Sequence, residues 1–81
     1  MDKIKQFMED NLYEEVIYKN TKGEIIAGCL EDYKINKNKL DVVLNELKIT
    51  IDNIIKKLIF FLEFGEISIK NDEGIHKFYM I

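Results

Sequence analysis

The sequence predicts a small α+β domain in the order αββαββ. Two hairpins would form an antiparallel sheet, with a short N-terminal helix and a long central helix (about 38–64) on one face. Three observations predict this. The turn-like stretch KNTKG at 19–23 returns as KNDEG at 70–74, each beside alternating apolar residues. Apolar residues recur at helical spacing from Leu40 onward. Gly65 stands where a helix over that run can end.

Taken in order, Ile4, Phe7, Met8 and Leu12 form one apolar stripe of a short helix, with Lys3, Lys5, Glu9 and Asp10 outside and Asp2 as N-cap. Asn20-Thr21-Lys22-Gly23 then suits a type I turn closed by a glycine of positive φ. Before it, Glu15–Lys19 alternates so that Val16 and Tyr18 share a face, and a return strand follows over 24–33. The same logic applies to Asn71-Asp72-Glu73-Gly74, with Ile67 and Ile69 on one face and a return strand over 75–81.

Between the hairpins, apolar residues fall at 40, 43, 44, 47, 51, 54, 55, 58, 61 and 62, while Asp41, Asn45, Lys48, Asp52, Lys56 and Glu63 take the other side. Asn36 or Asn38 can cap this helix and Gly65 can end it. A rival reading exists. LDVVL-NE-LKITI, residues 40–51, also alternates as a hairpin and is rich in β-branched residues. The helix is preferred because the strand pattern collapses past residue 52 while the helical stripe continues. Val42, Ile49, Phe60 and Phe64 fall off that stripe.

The echo reaches upstream of the turns. Residues 4–23 laid without gaps on 55–74 share Ile, Lys, Glu, Lys, Asn and Gly. The chain of 81 residues therefore reads as a single domain, 1–81, with an internal helix–hairpin repeat over 4–33 and 55–81.

Two resemblances bear on this. Gly23-x4-Gly28-x-Leu30-x2-Tyr33 resembles the first part of the Sm-like motif of small RNA-binding barrels. Lys34 stands where that motif expects Asp, and no Arg-Gly turn follows; the resemblance implies a small Sm-like barrel as the alternative fold. IIKKLIFFLEFGEISIKNDEGI, in the C-terminal third, resembles the small YezD-like proteins of bacteria. That likeness implies a helix–hairpin unit and no particular activity.

Composition narrows the function. The net charge of −3 and pI of about 5.1 disfavour nucleic acid, which needs a concentrated positive field. Cys29 is the only cysteine, so no internal disulfide forms and a reducing, cytoplasmic setting is expected. MDKIKQFMEDN lacks a signal core, and the apolar run LIFFL at 58–62 is far too short to span a bilayer, so no membrane association is expected.

No catalytic constellation is legible. His76 and Ser68 are the only histidine and serine. In the second hairpin His76 would sit opposite Ile69 and Ser68 opposite Lys77, so the two diverge and His76 reads as an exposed strand residue. One Cys and one His cannot assemble a zinc site, and Glu31-Asp32 or Asp72-Glu73 read as solvated carboxylates. No phosphate loop occurs, and Cys29 reads as a buried apolar thiol. No cofactor is implied.

Two binding surfaces remain. A helix over 38–64 would span ~40 Å at ~1.5 Å per residue, against ~19 Å for four strands at ~4.8 Å each. Its overhanging stripe, Leu40, Val43, Leu44, Leu47 and Ile51, would form the interface of a homodimer or another partner. The second surface is Tyr33 with Lys34, Lys37, Lys39, Lys56 and Lys57, an aromatic among lysines of the kind that holds single-stranded nucleic acid. The expectation is a non-enzymatic regulator or inhibitor that acts by protein–protein binding as a homodimer, on the pattern of mobile-element accessory proteins. A nucleic-acid-binding module using the loop 34–39 is the alternative, and a small ligand held at the dimer interface is a third.

Overall fold

The N-terminal stripe folds as expected. In the computed structural model, which describes residues 2–55, 59–62 and 65–80, helix α1 spans Asp2–Asn11 and buries Ile4, Phe7 and Met8. Asn11 closes it, its Nδ2 donating to the Phe7 carbonyl at 2.8 Å and satisfying an orphan acceptor of the last turn. Strands follow as β1 (Glu15–Lys19), β2 (Ile25–Asn36), β3 (Lys39–Leu44), β4 (Leu47–Ile51), β5 (Ile59–Leu62), β6 (Glu66–Asn71) and β7 (Gly74–Met80). Among the described residues they make one antiparallel sheet in the order β4-β3-β2-β1-β7-β6-β5.

Both echoed turns form, and by one mechanism. Asn20 Oδ1 accepts from the amides of Lys22 and Glu24, and the Gly23 amide closes on the Asn20 carbonyl at 3.0 Å with Gly23 at φ +84. Asn71 Oδ1 accepts from the Glu73 amide in the same way. The two turns are also neighbours: Thr21 lies in van der Waals contact with the position a Cβ would take on Gly74. β1 pairs with β7, so the two hairpins join edge to edge.

The long central helix does not form. The chain over 38–64 instead carries β3, β4 and β5, with residues 56–58 and 63–64 outside the described set. The architecture is therefore a β-sheet with one short helix, not αββαββ, and the helix implied by the YezD-like resemblance is replaced at Ile59–Leu62 by a strand. The hairpin reading of 40–51 is the one the chain adopts. Val42 and Ile49, which no helical stripe accommodates, face each other across the ladder and are buried. Leu40, Val42 and Leu44 alternate inward along β3, as do Ile49 and Ile51 along β4. Asn45 and Glu46 supply the turn with φ of 46 and 70, the doubly left-handed geometry of a two-residue type I′ loop. Gly65, at φ +72, leads into β6 rather than ending a helix.

β2 belongs to both halves of the sheet. Its first half pairs with β1 and its second with β3, and the register slips between Leu30 and Asp32. One extra residue at Glu31 changes which parity faces the core. Gly28 and Leu30 point inward before it, and Tyr33 and Ile35 pack against the core after it. A flat seven-stranded sheet would be a thin plate, but the Cα envelope measures 27 × 25 × 25 Å, so the sheet curls. α1 lies in the curl, with Phe7 and Phe78 ring centroids 6.3 Å apart. The core gathers Ile4, Met8, Val16, Leu30, Leu40, Val42, Leu44, Ile51, Ile67, Ile69 and Phe78.

The β3–β4 turn folds back on β2. The Asn45 side chain accepts from the Cys29 amide at 2.8 Å, and the Asn45 amide donates to the Cys29 carbonyl at 3.1 Å. This approach requires Gly28, where a Cβ would stand 2.7 Å from Asn45 Cγ. Gly28→Ala is therefore expected to lower unfolding free energy by about 1–3 kcal/mol, and Asn45→Gly in the same chain should recover part of that loss. Urea denaturation of the two single variants and the double variant checks it; strict additivity would show that the two positions do not meet.

Candidate functional site

The hairpin register sets out the polar interior. His76 pairs with Ile69 and Ser68 with Lys77, as the sequence predicts, so no His–Ser pair assembles. His76 is not an exposed strand residue, however; it is only 4% exposed. The strand alternation that turns Ile67, Ile69 and Phe78 inward turns His76 inward too, against Tyr18 of β1.

There it sits in a continuous chain of hydrogen bonds. The Tyr18 hydroxyl lies 2.7 Å from His76 Nδ1, and His76 Nε2 lies 3.0 Å from Asn71 Oδ1. Asn71 Nδ2 donates to the Asp52 carbonyl at 2.9 Å, which fixes Oδ1 as its acceptor end. It follows that Nε2 carries the imidazole proton, and Nδ1 accepts from Tyr18. Burial lowers the His76 pKa below the usual 6.5, with the Glu73 carboxylate partly opposing. Burial and Glu73 raise that of Tyr18. The result is a neutral pair with both ring nitrogens engaged. Through Asn71 it ties the segment after β4 to the second hairpin, as does the Ile55 amide, which donates to Lys70 O; the Ile54 amide donates to Asn38 O in the β2–β3 turn, and Ile54 is buried.

The outer surface divides into two faces. Over β2, β3 and β4, register sets Lys34, Asp41 and Thr50 in one row and Asp32, Val43 and Lys48 in the next. With Tyr33 these residues, Thr50 excepted, line a shallow cavity of about 200 Å³. The Thr50 hydroxyl donates to Asp41 at 2.6 Å and, with Lys48, Lys39 and Lys34 nearby, lowers the Asp41 pKa. The face alternates in sign. Over β2, β1 and β7, by contrast, Ala27, Ile17 and Tyr79 form an apolar row. Beside it run Ile25, Lys19, Lys77 and Ser68. Ile25 is 64% exposed. The Lys77 ammonium reaches Glu66 Oε1 at 3.2 Å; that oxygen is sealed from solvent and has this ion pair in place of an aligned hydrogen bond.

The sequence-derived interface is dispersed. Leu40, Leu44 and Ile51 are core residues of β3 and β4, Val43 is half-buried on the outer face, and Leu47 stands exposed beside the Asn45–Glu46 turn. No stripe overhangs, and the helix-length argument for a dimer falls with the helix. The lysine-rich group is also divided. Tyr33 faces α1, where the Glu9 carboxylate beside its hydroxyl raises its pKa. Lys34 points to the opposite face, Lys37 and Lys39 flank the β2–β3 turn, and Lys56 and Lys57 lie outside the described residues. Cys29 is half-buried on the outer face of β2, not sealed in the core. Among the described residues no cluster of His, Cys, Asp and Glu is arranged for a metal ion, and no helix is long and apolar enough to cross a membrane.

The apolar outer row escaped sequence reading because Ile17, Ala27 and Tyr79 become neighbours only through the β2–β1–β7 register. No protein-family model, curated protein or solved structure matches the chain.

The buried imidazole gives a pH signature. Below pH 6.5 the unfolded chain binds a proton that folded His76 resists, so stability falls as pH drops through that window and is complete above it. Urea midpoints between pH 5 and 7 are expected to decline more steeply for the wild type than for His76→Gln. Parallel profiles would mean that His76 ionises as readily folded as unfolded.

Proposed function

We propose that the chain is a non-enzymatic binding module that regulates or inhibits by docking another protein chain on the outer face of β1, β2 and β7. The observation that carries this reading is the row Ala27–Ile17–Tyr79 with exposed Ile25 beside it. An apolar patch across neighbouring strands is costly to leave in water and favours a protein surface over a solvated ligand. The alternating charges of the β2–β3–β4 face support the same choice, because Asp32 and Asp41 interrupt the field that nucleic acid would require. The non-enzymatic part is supported by His76, whose ring nitrogens are both committed to internal partners. A reducing, cytoplasmic setting suits the single free thiol.

Ile25→Glu tests the reading. At so exposed a position the substitution is expected to change stability by no more than about 0.5 kcal/mol. Affinity capture from native lysate, with nuclease, should recover a protein with the wild type that Ile25→Glu fails to retain. Equal recovery by both chains, or recovery that vanishes with nuclease, would overturn it.

A further inference from the structure

The outer face of β1 reads Glu15, Ile17, Lys19, since Val16 and Tyr18 are buried on the inner side. An acid, an apolar residue and a base thus stand in line along one strand. On β2 the matching outer positions are Cys29, Ala27 and Ile25, opposite Glu15, Ile17 and Lys19 in turn. From this pattern we infer that the occupant of the face is a second copy of the chain, bound about a two-fold axis lying along the row Ala27–Ile17–Tyr79. The inference rests on the docking surface proposed above and names its partner.

The geometry is that of two sheets packed face to face, ~10 Å apart, with their strand directions opposed. A rotation of 180° about an axis across the strands returns the central row onto itself and exchanges the positions on either side. Ile17, Ala27 and Tyr79 of one copy then meet the same residues of the other. Glu15 of each copy meets Lys19 of its partner, and Ile25 meets Cys29. Over β1 and β2 apolar positions face apolar positions and Glu15 faces Lys19, so this part of the patch is complementary to itself, as an isologous interface requires, while Lys77 at the β7 margin is paired with Glu66 of its own sheet. Lys19 also gains an acidic neighbour that its own sheet does not give it, because Lys77 is its β7 partner. The curl of the sheet limits contact to about three strands, which places the interface in the small, weak class below ~1,200 Å² in total.

Charge exchange tests this directly. Sedimentation equilibrium of the wild type from low to high micromolar concentration is expected to show reversible dimerisation. Glu15→Lys alone or Lys19→Glu alone sets like charges face to face twice per dimer, and should weaken association about tenfold or more. The double variant Glu15→Lys, Lys19→Glu restores opposite charges and should recover the wild-type constant. Mixing the two single variants should also restore association, now as a heterodimer, because the Glu15→Lys chain carries lysine at both positions and the Lys19→Glu chain glutamate at both, so every pair across the axis is opposite in charge. Circular dichroism melts confirm that each chain is folded. A wild type that stays monomeric, or single variants that dimerise unchanged, would overturn the inference. If the wild type is monomeric yet Ile25→Glu still loses a captured protein, the docking face stands and only the second copy is wrong.

Discussion

The register slip in β2 at Glu31 is the constraint on which the two halves of the molecule depend. Before it, β2 is a partner of β1; after it, a partner of β3. Without the extra residue, the inward parity that buries Gly28 and Leu30 would carry on to Asp32 and Lys34, and charged side chains would enter the core. With it, Tyr33 and Ile35 turn inward and the β3–β4 hairpin can place Leu40, Val42 and Leu44 over the same interior as Val16 and Tyr18. The missing side chain at Gly28 and the amide of Asn45 hold the bend from the other side.

The polar chain through His76 completes what the bulge begins. A buried imidazole is tolerated because each ring nitrogen has a partner, and Asn71 is itself held by backbone groups. Asn71 does this twice over, bonding the Glu73 amide within its own turn and the Asp52 carbonyl after β4. The same residue type that shapes a turn at position 20 thus shapes a turn and closes the interior at position 71. Outside this interior, β1, β2 and β7 present aliphatic and aromatic side chains bordered by charge on their outer face.

Much of this was legible in the sequence. The stripe Ile4, Phe7, Met8 has helical spacing and no strand alternative, so α1 follows from periodicity. The turns at 20–23 and 71–74 follow from the preference of Asn for capping its own backbone and of Gly for positive φ. Even the pairing of His76 with Ile69 follows from turn length, since a hairpin loop fixes register. The central region was different. Residues 40–51 satisfy both a helical and a strand period, and the continuation of the helical stripe past residue 52 favoured the helix, which the structure overturns. Val42 and Ile49 were the discriminating signal, since only the strand reading buries both.

The sequence by itself determined the helix, both echoed turns and the inward alternation of the two hairpins, because each rests on interactions within a few residues. Only the tertiary structure decided that the centre is strand, because residues 40–51 carry both periods and the strand prevails by burying Leu40, Val42 and Leu44 in one core with residues of α1 and β7. It alone decided the outer apolar row as well. Ile17, Ala27 and Tyr79 are far apart in the chain and meet through two strand registers, and no local rule brings them together.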